Sequence, residues 1–453
     1  MSKEKRLPVR FTNRLALTGI AFVFAVYFLA LSALVPARAA EIQEVTSDSG
    51  VTAWLVEDYT VPIVAIRFIF EGGTSQDPKG KEGLVNLMSG LFDEGAGEFD
   101  ADAFQLALDD AGAEMSFRAG SDGMSGAMRM LAEKRAEAFG LLRLAITAPR
   151  FDQAPLDRIR AQIVASIVAG SRDPRRLADI AFSEALYGDH PYGRRNEGTA
   201  ETLATVTADD LRTAHERMFA RDRLHVGVVG AIDAETLKGE LDRLFGSLPE
   251  KAELADVPDI EPRLGREVRI DYPLPQTSIQ LAYRGIDRKD PQFFAAYLMN
   301  HVLGGGTFTS RLFDEVRERR GLAYGVGSSL SNRRHSAALV IGTGTNSERA
   351  QETLAVIRDV VKRMALEGPT EDELESAKRY LIGSYAINNL DSSGAIANTL
   401  VQLQVEELGI DYIERRADII NAVTREQAMA AAKLLLEAEP AVLILGPGIE
   451  NGG

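Results

Sequence analysis

At 453 residues the chain is too long for one ordinary hydrophobic core, so its length favours two or more domains. Hydrophobic residues at 45% and charged residues at 26% exclude an intrinsically disordered chain. The absence of cysteine excludes disulfides and thiolate chemistry, and a formal charge of −15 makes the chain a poor nucleic-acid binder.

The first forty residues differ from the rest. Lys3, Lys5, Arg6, Arg10 and Arg14 precede the apolar run "LALTGIAFVFAVYFLALSALV", which ends at Pro36 and Ala37-Arg38-Ala39-Ala40. A basic head, an apolar middle and an A-x-A ending predict a secretory signal over residues 1–40, cleaved after Ala39 or Ala40. The alternative is an uncleaved anchor, because Leu15 to Val35 is long enough to span a bilayer, and membrane contact is expected only in that case. Removing the net charge of +5 in this segment takes the remainder from −15 to about −20.

"VTAWLVED" and "VPIVAIRFIFEGG" follow as two β-branched strands bounded by turn residues. Apolar residues at helical spacing predict helices in "DADAFQLALDDAGA" and "LAEKRAEAFGLLRLAI", with "EMSFRAGSDGMSGAMRM" between them as a strand or hairpin. The recurrence of strands then helices predicts an α+β layer structure.

The pattern repeats within the chain. "FDQAPLDRIRAQIVASIVAGSRDP" (151–174) has a counterpart in "PTEDELESAKRYLIGSYAINNLDSS" (369–393), each an acidic start to a long amphipathic helix. "VTADDLRTAHERMFARDRLHVGVVG" (206–230) is echoed by "VTREQAMAAAKLLLEAEPAVLILGPG" (423–448), each a helix running into an apolar strand. Thr207 with Asp210 and Thr424 with Gln427 place a hydroxyl at the N-cap and an acceptor three residues on; the second is a proper capping box, the first a shorter variant. Between the halves, "GSLPEKAELADVPDIEPRLGRE" has the Pro- and charge-rich composition of a linker. The predicted organisation is a first domain over 41–250, a linker over 251–266 with the boundary near 256, and a second domain over 267–453.

Chemistry is sparse. The five histidines, His190, His215, His225, His301 and His335, include no pair at i, i+3 or i, i+4, so no zinc site follows from ordinary spacing. His190 reads as a loop residue and His225 as a hydrogen-bonded strand histidine; His215, His301 and His335 have no carboxylate or histidine partner at usable spacing. No G-x-S-x-G elbow occurs, and Gly304 to Gly306 lack the GK[ST] ending of a phosphate loop. In "SRLFDEVRERRGLAYGVGSSLS" a charged helix stops at Gly321 and a strand begins near Ala323, leaving Arg317 and Tyr324 on either side of one turn within reach of one point of a cavity. By spacing alone they are a salt-bridged helix residue and a strand aromatic.

Several segments in one order carry a resemblance: "FEGGTSQDPKGKEGLVNLMSGLFDEGAGEFDADAF", "HPYGRRNEGTAETLATVTADDL", "LHVGVVGAID" and "LGGGTFTSRLFDEVRERRGLAYGVGSSLS". Together they resemble the pitrilysin/insulinase-type inverted-zincin metallopeptidases, in particular the short two-domain members similar to mitochondrial processing peptidase subunits. The resemblance implies two homologous domains, each a mostly antiparallel sheet packed with helices. Active members carry H-x-x-E-H, two zinc histidines around a general base, and a later Glu ligand. Carried over, these fall on Asn86, Ser89 and Gly90, and on Ser166 to within about one residue. Gly90 has no side chain and Ser89 cannot replace a carboxylate base, so this chain alone is not expected to hydrolyse peptides or bind the metal.

What the family uses opposite the metal is retained. The pattern R-x-x-x-G-L-x-Y supplies an Arg/Tyr pair that contacts substrate and stabilises the oxyanion, and here it is Arg317 and Tyr324. Because short members divide the work between two subunits, the resemblance implies a metal-free subunit acting in trans. Its partner is a homologous zinc-binding chain, its substrate an unfolded peptide, and its location outside the cytoplasm, in a bacterial periplasm. The alternative is a non-enzymatic peptide-binding or scaffold protein of the same fold, like the inactive core proteins of the respiratory cytochrome complex. An enzyme without zinc needs a nucleophile that the sequence does not provide.

Overall fold

β-branched and apolar runs supply eleven strands among the described residues, and these divide by chain position into two sheets. The structure, a computed structural model, describes residues 41–447, so the expected export segment lies outside it. The first sheet has the order β1-β2-β6-β3-β5-β4, from β1 (Ile42–Thr46), β2 (Thr52–Glu57), β3 (Ile63–Glu71), β4 (Glu114–Ala119), β5 (Gly123–Leu131) and β6 (Leu224–Gly230). The second has the order β7-β11-β8-β10-β9, from β7 (Glu267–Asp271), β8 (Thr277–Arg284), β9 (Ala323–Arg333), β10 (Ser336–Thr345) and β11 (Ala441–Gly446). Each sheet contains one parallel pair, β2 with β6 and β7 with β11, and is otherwise antiparallel. Dropping β1 makes the two orders equivalent strand for strand, so the internal repeat is a repeat of topology. β1, which pairs with β2, has no signal in the sequence reading.

The helices follow the same repeat. The first half carries α1 (Leu84–Ser89), α2 (Ala101–Asp110), α3 (Arg135–Thr147), α4 (Gln153–Gly170), α5 (Pro174–Tyr187), α6 (Ala200–Ala204), α7 (Ala208–Met218) and α8 (Ala234–Phe245). The second carries α9 (Phe293–Asn300), the short α10 (Arg311–Phe313), α11 (Ala350–Glu367), α12 (Glu371–Asn389), α13 (Ser393–Val405), α14 (Tyr412–Asn421) and α15 (Arg425–Leu436). The repeated segments are α4 and α12, then α7 into β6 and α15 into β11. Thr207 with Asp210 and Thr424 with Gln427 both form reciprocal capping boxes, so the shorter Asp side chain closes the box as well as Gln does. Both α2 and the helical turn before β9 are followed by a glycine at φ 58°, Gly112 and Gly321, a backbone conformation that disfavours a Cβ.

Alternate residues of the central strands enter different cores, because successive side chains of a strand point to opposite faces. Ala53, Leu55, Val226 and Val228 join the core made with the first half's own helices. Trp54, Val56 and Val229 point the other way and pack on Ala397, Leu400 and Leu403 of α13 from the second half. β11 behaves in the same manner: Val442 and Ile444 enter the second half's own core, whereas Ala441, Leu443 and Leu445 meet Ala178, Phe182 and Leu186 of α5 from the first half. Each half therefore lends the helix that follows its longest helix to the back of the other half's sheet. A buried aliphatic or aromatic side chain contributes roughly 1.5–3 kcal/mol, so these two shared layers hold the halves together.

Gly227 makes the contact between α13 and the first sheet possible. A Cβ there would lie 2.5 Å from the carbonyl oxygen of Ala397 and 3.0 Å from Cβ of Leu400. One turn further along, the Gln404 carboxamide donates from Nε2 to the Val226 carbonyl at 2.8 Å and accepts from the Val226 amide at 3.3 Å. A polar layer seals the rim. The Arg334 side chain, at the β9–β10 turn, reaches Glu71 at 2.8 Å; its amide donates to Asp122, which also accepts from the Tyr192 hydroxyl at 2.6 Å.

Residues 251–266 form no helix or strand, and they are pinned along their length. Ala255 exchanges two hydrogen bonds with the Gln76 carboxamide, the Pro258 carbonyl meets His190 Nε2 at 2.9 Å, and the Ile260 and Arg263 amides donate to His335 and Leu186. A segment with the composition of a flexible linker thus serves as a strap, its lack of apolar periodicity matched by backbone pairing.

Gly227→Ala is expected to lower stability by about 1–3 kcal/mol, because backbone on the facing helix has to move. Trp54, the single tryptophan, lies in that interface and its emission should change with the substitution in a denaturant titration; an unaltered midpoint and spectrum would refute the close-approach argument.

Candidate functional site

The positions onto which the resemblance carries the metal motif, Asn86, Ser89 and Gly90, lie on α1 and at its C-cap. This helix starts at Gly83, in a left-handed conformation, and its first amides are held by Asp77, which accepts from Gly83 at 2.7 Å and Val85 at 2.9 Å. Burial pushes the Asp77 carboxyl up to about 7 even though those two amides pull it down. The turn that presents the helix is therefore intact. Asn86 and Ser89 are half-buried, and Ser89 Oγ donates to the Asn86 carbonyl at 2.8 Å, closing the helix end. Gly90 faces α4: a Cβ on it would stand 3.1 Å from Cγ2 of Ile159. Ser166, further along α4, is exposed, and its carbonyl accepts from Arg176 at 3.4 Å. Among the described residues no hydrogen bond joins Ser166 to Asn86 or Ser89, and no group of three or more His, Asp or Glu side chains stands where it could hold a metal.

Arg317 and Tyr324 belong to the second half. The charged helix expected there is a short α-turn, α10, continued by a π turn over Asp314–Glu318. Glu315, buried in that turn, collects Arg320, Arg363 at 3.2 Å and Arg319 at 3.8 Å, and the Arg320 hydrogen bond holds its carboxyl below the usual range. Arg317 is the arginine that Glu315 does not take. Its guanidinium lies 4.7 Å from the Phe313 ring centroid and 5.9 Å from that of Phe308, with Glu318 only at 3.8 Å. Tyr324 opens the edge strand β9 and is 86% exposed; Phe308, on the glycine-rich turn, is 72% exposed. An arginine, a tyrosine and a phenylalanine thus remain uncovered around one turn. Neither Arg317 nor Tyr324 lines the large cavity between the halves.

The histidines are structural among the described residues. His190 caps a turn through Tyr192, and His225 Nε2 meets Glu71 at 3.1 Å. His215 Nε2 bonds the Ile146 carbonyl at 2.7 Å, and burial pushes its pKa down. His301 is buried against the Tyr380 ring, and burial lowers its pKa too. His335 pairs with Asp259 at 3.0 Å. The carboxylate partners of His225 and His335 come from segments far away in sequence, which spacing rules do not reach. Glu71 is the electrostatic centre missed in sequence: burial would raise its pKa, but hydrogen bonds from His225 and Arg334 outweigh that and hold it at about 2.

Two halves of one topology, with a peptidase-like helix α1 that lacks ligating side chains, define an inverted-zincin architecture without its metal set. Comparison with known proteins agrees. Residues 205–381 match the model described as "Peptidase M16 inactive domain". A Helicobacter pylori protein described as "Non-peptidase homolog YmxG" is 26% identical over 349 residues, 76% of this chain and 79% of that protein. A Bacillus subtilis protein described as an uncharacterized zinc protease is 25% identical over 409 residues, 90% of this chain and 98% of the other. Among solved structures, the peptidase M16 inactive domain from Pseudomonas fluorescens superposes with a TM-score of 0.83 at 29% identity, covering 91% of this chain and 99% of that one. The chain belongs to the M16 peptidase family, the pitrilysin/insulinase type, as a non-catalytic member.

Two measurements check the site. Glu71 is depressed in the folded protein, so its stabilisation is present above its unfolded pKa near 4.5 and is lost as pH falls through about 2. Denaturant titrations at high and low pH across that window should show wild type losing on the order of 3 kcal/mol more than Glu71→Gln; equal losses would remove Glu71 from the centre of the network. Gly90→His should cost about 1–3 kcal/mol, with part of the loss recovered by Ile159→Ala in the double variant. Strict additivity of the two changes would show that Ile159 does not crowd position 90.

Proposed function

We propose that the chain is the metal-free subunit of a heterodimeric, exported zinc peptidase, supplying Arg317 and Tyr324 in trans to a homologous subunit that carries H-x-x-E-H. One observation supports the reading: part-exposed Arg317 and exposed Tyr324 stand at one edge of the second half, whereas Asn86, Ser89, Gly90 and Ser166, the positions onto which the resemblance carries the metal set, offer neither a histidine nor a carboxylate. A guanidinium and a phenol directed at developing negative charge stabilise a transition state more than a ground state. Exposed aromatic side chains beside them suit a surface that meets another chain or a peptide. β4 and β9 are each one of the two edge strands of their sheet, and a free edge can pair with an extended peptide through its backbone groups. The zinc, in this reading, belongs to the partner, the substrate is an unfolded peptide, and the compartment is a bacterial periplasm. A scaffold or peptide-holding role for the same fold is the second reading, favoured by the loss of the metal ligands.

Peptide hydrolysis, measured with zinc for the mature chain alone and then mixed with its H-x-x-E-H homologue, tests the proposal. Silence alone and activity on mixing are expected. Arg317→Ala or Tyr324→Phe should then lower turnover roughly a hundredfold while the complex still assembles on gel filtration. Full turnover with both variants would exclude the shared site, and silence of the mixture would favour the scaffold.

A further inference from the structure

The outer face of the first sheet is covered by α13 along β6 and β3, with Trp54 and Val56 of β2 packed beside it. Beyond it, α13, the β9–β10 turn and the outer faces of β3, β4 and β5 enclose a cavity of about 620 Å3 between the halves, the size range of sites that take drug-sized ligands. We propose that this cavity binds a short peptide carrying a free carboxylate, independently of Arg317, Tyr324 and any partner subunit.

Charge argues for the carboxylate. Every acid lining the cavity already has a protein partner: Glu71 has Arg334, Arg223 and His225, Asp122 has the Tyr192 hydroxyl, Asp259 has His335, Glu406 has Arg288, and Asp287 accepts from the Lys289 amide. The cations are not all used. Among the described residues Arg67 on β3 and Arg118 on β4 make no side-chain hydrogen bond or ion pair, and Arg333 lies over the Tyr187 and Tyr192 rings with no carboxylate. Two guanidinium groups without a protein partner, and a third held only by aromatic rings, share one concavity, and a guanidinium matches a carboxylate in geometry as well as charge.

The remaining lining argues for a peptide. Asn332, Asn398 and Gln402 make no side-chain hydrogen bond among the described residues, and each offers a donor and an acceptor, the pair that an extended peptide unit requires. Ile69 and Val405 leave apolar surface between these groups for small side chains. A bare anion would use the arginines and none of the carboxamides.

Calorimetric titration of the full mature chain, without its homologue, tests this with an N-acetylated alanine peptide of about five residues ending in a free glutamate. Binding is expected, weakening as salt is raised, and falling roughly tenfold or more in Arg67→Ala and in Arg118→Ala. Arg143→Ala, on the exposed side of α3 and outside the cavity, should bind like wild type. Both test residues lack protein partners, so folding should be kept, and Trp54 emission verifies it. The proposal is overturned if the peptide does not bind, if the C-terminally amidated glutamine analogue binds equally well, or if inorganic phosphate matches the peptide. Unchanged affinity in Arg67→Ala and Arg118→Ala would overturn it as well. None of these outcomes bears on hydrolysis by the mixed subunits, which depends on the opposite end of β9.

Discussion

A sheet whose central strands are apolar on both sides needs cover on two faces, and each half of this chain has helices enough to cover one. The exchange of α5 and α13 meets that requirement. Leu443 and Leu445 pack on a helix made some 250 residues earlier in the chain, and Trp54 and Val229 on one made much later. Each half alone would expose an apolar face to water, so the two domains of the repeat fold as one unit. The strap and the Glu71–Arg334 pair follow from this closeness. They are polar closures at the edge of an apolar joint, and a carboxylate buried there is tolerated because three cationic or hydrogen-bonding partners surround it.

This division of labour explains how a catalytic position can lose its chemistry without loss of the fold. α1 is held by its own apolar side, with Leu84, Val85, Leu87 and Met88 buried, and by Asp77 at its start; none of these contacts needs a metal. Ile159 stands close to Gly90, so hydrocarbon fills the room beside it. In the second half the constraint runs the other way. Glu315 ties three arginines into the π turn and leaves Arg317 against aromatic rings at the surface, an arrangement that gains little stability from exposure of Phe308 and Tyr324. Side chains whose exposure the fold does not require are the ones whose retention calls for a functional reason.

The inter-half cavity has the same origin as the joint. α13 packs along β6 and β3, whereas β5 and β4 lie farther out toward the sheet edge. The strip left open runs over the outer faces of β5, β4 and one end of β3, where Arg67 and Arg118 stand in place of the Trp54, Val56 and Val229 that face α13.

Much of this was legible in the residues. Strands β2, β3 and the β4–β5 hairpin followed from β-branched runs and turn residues, the paired helix starts from Thr207 and Thr424, and the stop from Gly321. These are local signals, set by neighbours within a few residues through capping, periodicity and backbone conformation. β1 was not legible, because an edge strand of five residues with two acceptable faces has no periodicity to mark it. Nor were the partners of His225 and His335, the crowding at Gly227 or the open arginines of the cavity. Those depend on which segments meet in space, and that was decided by the need of each sheet to bury its second face against the other half.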